Sequence, residues 1–159
     1  MSRQGNIKKR VTQPDLRYGS VLVAKIINRA MLSGKKSPIE KQVYAALEIL
    51  GKETGKEPLA VLNQAMDNLK PQMEVRPRRI GGAAYQVPMP VRGDRSEALG
   101  VRWLIIAARK RPSSQYHSFA AKLAAEVLDI LKNEGGAMKK KMDIHRMAES
   151  NKAFAHFRW

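Results

Sequence analysis

The sequence predicts a mainly α-helical single domain of about six helices, with one protruding β-hairpin arm and a basic, flexible N-terminal tail. Three observations carry that reading. Apolar residues recur at helical spacing in windows bounded by capping residues, proline or glycine. Residues 72–95 instead alternate with period two around a Gly81-Gly82 pair. Residues 1–17 hold Lys8-Lys9-Arg10 and little apolar content, so they are expected to order only on binding. The expected organisation is a basic extension over 1–17, a helical domain over 18–150 that includes the arm at 72–91, and a C-terminal tail over 151–159.

The first helix follows Ser20 as N-cap and is expected to run to Gly34, with Lys25 and Arg29 on one face. Ser37-Pro38-Ile39-Glu40 reads as a capping box with proline at the first helical position. The helix it opens turns Ile39, Val43, Ala46, Leu47 and Leu50 inward and stops near Gly55. A third helix starts around Glu57-Pro58, presents Leu62, Ala65, Met66 and Leu69, and ends at Lys70-Pro71.

The hairpin comes next. On its first limb Met73, Val75 and Pro77 alternate with Glu74, Arg76 and Arg78; on its second Tyr85, Val87 and Met89 alternate with Gln86, Pro88 and Pro90. Proline lacks the amide donor that a central strand needs, so both limbs are edges. At about 3.3 Å per residue the arm reaches roughly 25–30 Å, too far to be buried by a chain of this size.

Asp94-Arg95-Ser96-Glu97 resembles another capping box and starts a fourth helix, apolar over most of its circumference through Leu99, Val101, Trp103, Leu104, Ile105 and Ile106. Such a helix belongs at the centre. Arg95, Arg102 and Arg109 recur every seven residues along it and form a basic seam. After Pro112 and Ser113-Ser114, a fifth helix turns Phe119, Leu123, Val127, Leu128 and Leu131 inward while Lys122, Glu126 and Lys132 stay in water, and Gly135-Gly136 ends it. A sixth carries Met138, Met142, Ile144 and Met147, exposes Lys139-Lys140-Lys141, and frays at Asn151 into AFAHFRW.

Charge defines the partner class. Thirty Lys and Arg against fourteen Asp and Glu leave +16 on 159 residues, which calls for an anion, and nucleic acid is the default. Net charge runs +8 over 1–36, −2 over 37–69, +7 over 70–111, −1 over 112–134 and +4 over 135–159, so three basic patches are separated by ordinary protein surface. The sequence shows no transmembrane-length apolar run, no secretory signal and no basic helix with an aromatic-rich apolar face, so no membrane partner is expected. A chain without cysteine has neither a disulfide framework nor cysteine metal sites.

Catalytic chemistry is not supported. His117, His145 and His156 are scattered, and no second His or Cys stands at metal-ligand spacing from any of them. Gly81-Gly82 neither follows a buried strand nor opens a helix, so it does not cradle a nucleotide phosphate. Ser113 and Ser114 near His117 read as capping groups rather than as a nucleophile and its base. No cofactor and no metal are expected.

Some features have two readings. The Arg95, Arg102 and Arg109 seam contacts nucleic acid or pairs with acidic residues of the second or fifth helix. Lys139-Lys140-Lys141 binds an anion or simply solvates. Tyr85 stacks on an unpaired base or packs across the hairpin onto the Met73 limb. Arg76, Arg78 and Arg79 have few structural duties on an arm with no core to cover.

SRQGNIKKR at the N-terminus, Ser37-Pro38-Ile39-Glu40, the hairpin VRPRRIGGAAYQVP, the run SEALGVRWLIIAARKR and the closing HRMAESNKAFAHFRW together resemble the bacterial-type small-subunit ribosomal protein seven family, over essentially the whole chain. The resemblance implies a helical domain with a protruding β-ribbon that binds the 3′ major domain of small-subunit rRNA, nucleates assembly of the subunit head, and lies at the subunit interface near the exit-site tRNA and the mRNA path. Neighbouring small-subunit proteins of the head and platform are the implied protein partners. The implied location is the bacterial cytoplasmic ribosome, or an organellar one. Carried onto this chain, Arg3, Lys8, Lys9, Arg10, Arg76, Arg78, Arg79, Arg92, Arg95 and Arg102 are the expected rRNA contacts, with Lys25, Arg29, Lys35, Lys36 and Arg109 completing the set. Gly81, Gly82, Ala83 and Tyr85 at the tip, and Lys139 and Arg146 on the last helix, are expected nearer tRNA, mRNA and neighbouring proteins. Two rivals explain part of the pattern: a DNA-architectural protein with a β-arm, and a scaffold for acidic proteins.

Overall fold

The computed structural model describes residues 11–158. In chain order it holds α1 (Val21–Ala30), α2 (Lys36–Thr54), α3 (Pro58–Leu69), β1 (Met73–Ile80), β2 (Ala83–Pro90), α4 (Gly93–Lys110), α5 (Phe119–Leu131), α6 (Gly135–Ser150) and a closing 3-10 helix, Lys152–Phe157. This is the mainly helical class with a single antiparallel hairpin that the sequence predicts.

Helix ends follow local chemistry in some places and tertiary demands in others. The Ser20 and Ser118 hydroxyls accept from the amides of Val23 and Ala121 and cap α1 and α5. Gly55, with φ +64°, closes α2 in the left-handed region. Neither expected capping box forms. α2 starts at Lys36, one residue ahead of Ser37, and α4 starts at Gly93, which puts Ser96 inside the first turn. The Ser96 hydroxyl instead donates to the Pro71 carbonyl at 2.7 Å and ties α4 to the foot of the hairpin. α1 stops at Ala30, short of Gly34, because Met31 turns to an extended backbone with ψ 136°.

The core lies between α4, which packs on α1, α3, α5 and α6, and α5, which packs on α2, α3, α4 and α6. Trp103, Leu104, Leu123, Val127 and Ile130 are buried there with Val23, Ile26, Leu47, Leu50 and Leu69. Ile106, expected inside, is 45% exposed.

Four expectations about α5 and α6 are corrected. Glu126 is buried rather than wet, and one of its carboxylate oxygens accepts the Ala137 amide at the start of α6 at 2.9 Å. Gly135-Gly136 opens α6 instead of ending α5: the chain reverses at Asn133, and a Cβ on Gly135 would stand 3.0 Å from Glu126 Oε1. Along α6 it is Ala137, Met138 and Ala148 that are buried, while Met142 and Met147 face outward. Lys141 is half-buried, not exposed, and donates to the Asn68 carbonyl in the last turn of α3.

The hairpin turns through Gly81 and Gly82, with φ of +57° and +88°, so that Ile80 opposes Ala83 in a two-residue loop of type I′. Directly opposed residues share a face, and the register sets Arg78 against Tyr85 and Arg76 against Val87. Tyr85 therefore shares a face with Arg76 and Arg78 of the first limb, opposite the face that carries Met73. The arm is also less free-standing than expected, since Glu74, Val87 and Pro88 are buried and its base packs on α6 and the 3-10 helix. The tail does not fray at Asn151: its Phe154 and Phe157 rings lie 5.1 and 5.6 Å from the Tyr85 ring.

Candidate nucleic-acid interface

The basic residues of the hairpin and α4 meet at one carboxylate. Glu74 of β1, with a side chain only 9% exposed, accepts from Arg76 Nε at 2.5 Å and from Arg95 Nε at 2.7 Å. Both arginine side chains remain about half exposed, and each is held at Nε, which leaves its two amino groups as further donors. Arg76, expected to have few structural duties, thus has one in the pairing with Glu74. The same carboxylate answers the question about the seam: Arg95 pairs with the hairpin rather than with α2 or α5.

Beside this junction Arg29 of α1 joins Arg95 and Arg102 of α4 around a shallow surface notch whose other walls are Ala98 and Leu99. Arg29, Arg95 and Arg102 are all exposed. Three arginines from two helices thus line one depression, and guanidinium is a group suited to anions. Lys25, one turn before Arg29, is held by Glu97 at 2.8 Å.

The remaining expected contacts divide by what they touch. Arg92 is exposed at the N-cap of α4, and Lys35 and Lys36 are exposed where α2 begins. Arg79 is exposed and Arg78 half-buried on β1. Arg109 departs from the seam, because it donates to the Ala30 carbonyl at 2.6 Å and satisfies an end group of α1. Gly81, Gly82 and Ala83 are exposed at the tip, whereas Tyr85 is half-buried against the tail. On α6 Lys139 is exposed and Arg146 pairs with Asp143 at 2.7 Å. Arg3, Lys8, Lys9 and Arg10 lie outside the described residues.

Sequence reading missed the acidic residues that set the posture of the basic ones, Glu74 and Glu97, and it missed two structural arginines. Arg17 donates to Glu48 at 2.7 Å beside the rings of Tyr18 and Tyr44. Asp15, within the segment expected to be flexible, accepts from the Arg17 and Tyr18 amides and from the Tyr44 hydroxyl. Burial, and then the bond to Asp15, push the Tyr44 hydroxyl up to about 12. Arg111 binds Glu126 at 2.7 Å, Asp129 and the Tyr116 hydroxyl. No spacing rule reveals the Arg17–Glu48, Tyr44–Asp15, Arg111–Glu126 and Arg111–Asp129 pairs, whose partners are 15 to 31 residues apart in sequence.

Among the described residues no group of three or more His, Asp or Glu stands where it could hold a metal ion, and no helix is long and apolar enough to cross a membrane. Ser113 accepts from Lys122 Nζ at 2.9 Å.

A helical body with a basic ribbon, and with guanidinium groups gathered where the ribbon meets α4, defines a polyanion-binding protein of the nucleic-acid class. A family model described as ribosomal protein S7p/S5e matches residues 2–152. The chain is 54% identical to small ribosomal subunit protein uS7 of Desulforudis audaxviator, 54% to that of Lawsonia intracellularis and 53% to that of Caldicellulosiruptor bescii, with all of this chain and all of each relative covered. The chain belongs to the ribosomal protein S7p/S5e family. Its class is therefore structural and RNA-binding rather than enzymatic, and the DNA-architectural reading has no support.

Proposed function

We propose that this chain is a structural constituent of the small ribosomal subunit that binds the 3′ major domain of its rRNA and nucleates assembly of the subunit head. The observation that carries the reading is the convergence of Arg29, Arg76, Arg95 and Arg102 on the junction between ribbon and α4. Folded rRNA holds its phosphates in a fixed three-dimensional array, and guanidinium groups on a rigid helical body read that shape without reading base sequence.

In this reading Lys35, Lys36 and Arg92 extend the phosphate contacts along one side of the body, and Arg78 and Arg79 extend them along the ribbon. Gly81, Gly82 and Ala83 at the tip face the exit-site tRNA and the mRNA path, with Lys139 and Arg146 of α6 toward neighbouring head and platform proteins. The place of action is the bacterial ribosome. Sedimentation of cell extract tests this most simply: the chain is expected with small subunits, and a peak of free protein with none on subunits would refute it.

A further inference from the structure

An acidic residue sits at the middle of the most basic part of the surface. Glu74 is the only Asp or Glu among residues 70–93, a stretch with five Lys and Arg. Yet its carboxylate is buried and holds two guanidinium groups by their Nε atoms. The two arginines come from different elements, Arg76 from β1 and Arg95 from the first turn of α4. Among the described residues, Glu74 is thus the group that pairs with both and joins them. A guanidinium held at Nε keeps two amino groups, and its fork geometry suits paired phosphate oxygens.

We infer that Glu74 is a positioning residue for RNA binding: its buried carboxylate aligns Arg76 of the ribbon with Arg95 of α4 so that both engage one stretch of RNA backbone. This rests on the rRNA-binding reading and deepens it. Glu74 touches no RNA itself and lowers the local charge, so simple electrostatics makes its loss favourable to binding. Positioning makes its loss unfavourable, because two arginines with full rotamer freedom must be ordered again at each encounter.

The experiment measures affinity of the full chain, across a salt series, for an in vitro transcript of the small-subunit rRNA 3′ major domain. Glu74→Gln removes one negative charge and is expected to bind about fivefold more weakly than the unaltered chain. Equal or tighter binding by this variant would overturn the inference. In an Arg76→Ala, Arg95→Ala background the same change is expected to have no further effect, and a loss of equal size there would overturn it by showing a general structural role. Should Glu74→Gln not fold, Arg76→Lys with Arg95→Lys decides: charge is kept and the fork is lost, so weaker binding supports positioning and unchanged binding overturns it. If the unaltered chain shows no preference for the transcript over duplex DNA, the rRNA reading itself fails. If that preference holds while Glu74→Gln is neutral, the positioning role alone fails.

Discussion

The Tyr85 ring of the hairpin lies 5.1 Å from the Phe154 ring of the C-terminal 3-10 helix, and this contact ties the arm to the tail. The two residues are far apart in sequence, one on the arm expected to project from the body and the other in the tail expected to fray. Aromatic pairs contribute about 0.5–1.5 kcal/mol beyond the area they bury. Tyr85→Ala is therefore expected to loosen the tail without unfolding the helices. Hydrogen exchange checks it, with faster exchange expected over 152–157 and unchanged protection in α5.

Glu126 is the most consequential charge inside the body. It is 1% exposed, pairs with Arg111 and caps the first turn of α6. Glu126→Gln leaves half-buried Arg111 with Asp129 as its one remaining carboxylate among the described residues, beside the Tyr116 hydroxyl, and is expected to cost about 3 kcal/mol, the lower end for breaking a buried pair. Urea unfolding followed by circular dichroism measures the cost.

His145 makes the hairpin foot sensitive to pH. Its Nε2 accepts the Gln72 amide at 3.3 Å, a role open only to the neutral ring. Burial, and then the Lys141 charge, hold it below the usual histidine value of 6.5. Lys152, Arg158 and Glu149 line the same cavity. Because the folded value lies below the unfolded one, the unfolded chain binds more protons between the two. The stabilisation is full above pH 6.5 and is lost as pH falls through the folded value. Thermal unfolding between pH 7.5 and 5 is expected to show this loss, and His145→Gln to flatten it.

Arg102 and Arg109 sit one heptad apart on α4 but are expected to behave differently. Arg102→Ala removes an exposed member of the notch and is expected to weaken binding to the rRNA transcript and lower its salt slope by about one. Arg109→Ala uncovers the Ala30 carbonyl and is expected to cost about 1 kcal/mol of stability, with a smaller change in slope. Affinity against salt, measured beside urea unfolding, separates the two.

The sequence made local features legible. Ser20, Gly55, Pro58 and the Gly81-Gly82 turn act through their own backbone chemistry, and each stands where it was expected. Four of the failures share one cause. Ser96, Glu126, Lys141 and Tyr85 find partners 11 to 73 residues away or in the tail, and those partners override what short-range spacing suggests. Ser96 looks like a cap and ties α4 to Pro71, while Glu126 looks like a wet residue and caps a different helix. The candidate site was half legible: Arg76, Arg95 and Arg102 stand out by charge and spacing, but the carboxylate joining two of them does not. Nothing in an alternating strand marks Glu74 as buried.

The central claim is that the basic ribbon and α4 together recognise folded rRNA. Competition binding of the full chain between the 3′ major domain transcript and duplex DNA, at matched salt, tests it most directly. Tighter binding to the transcript is expected, with a preference that shrinks in Arg102→Ala. Equal or tighter binding to duplex DNA would contradict it.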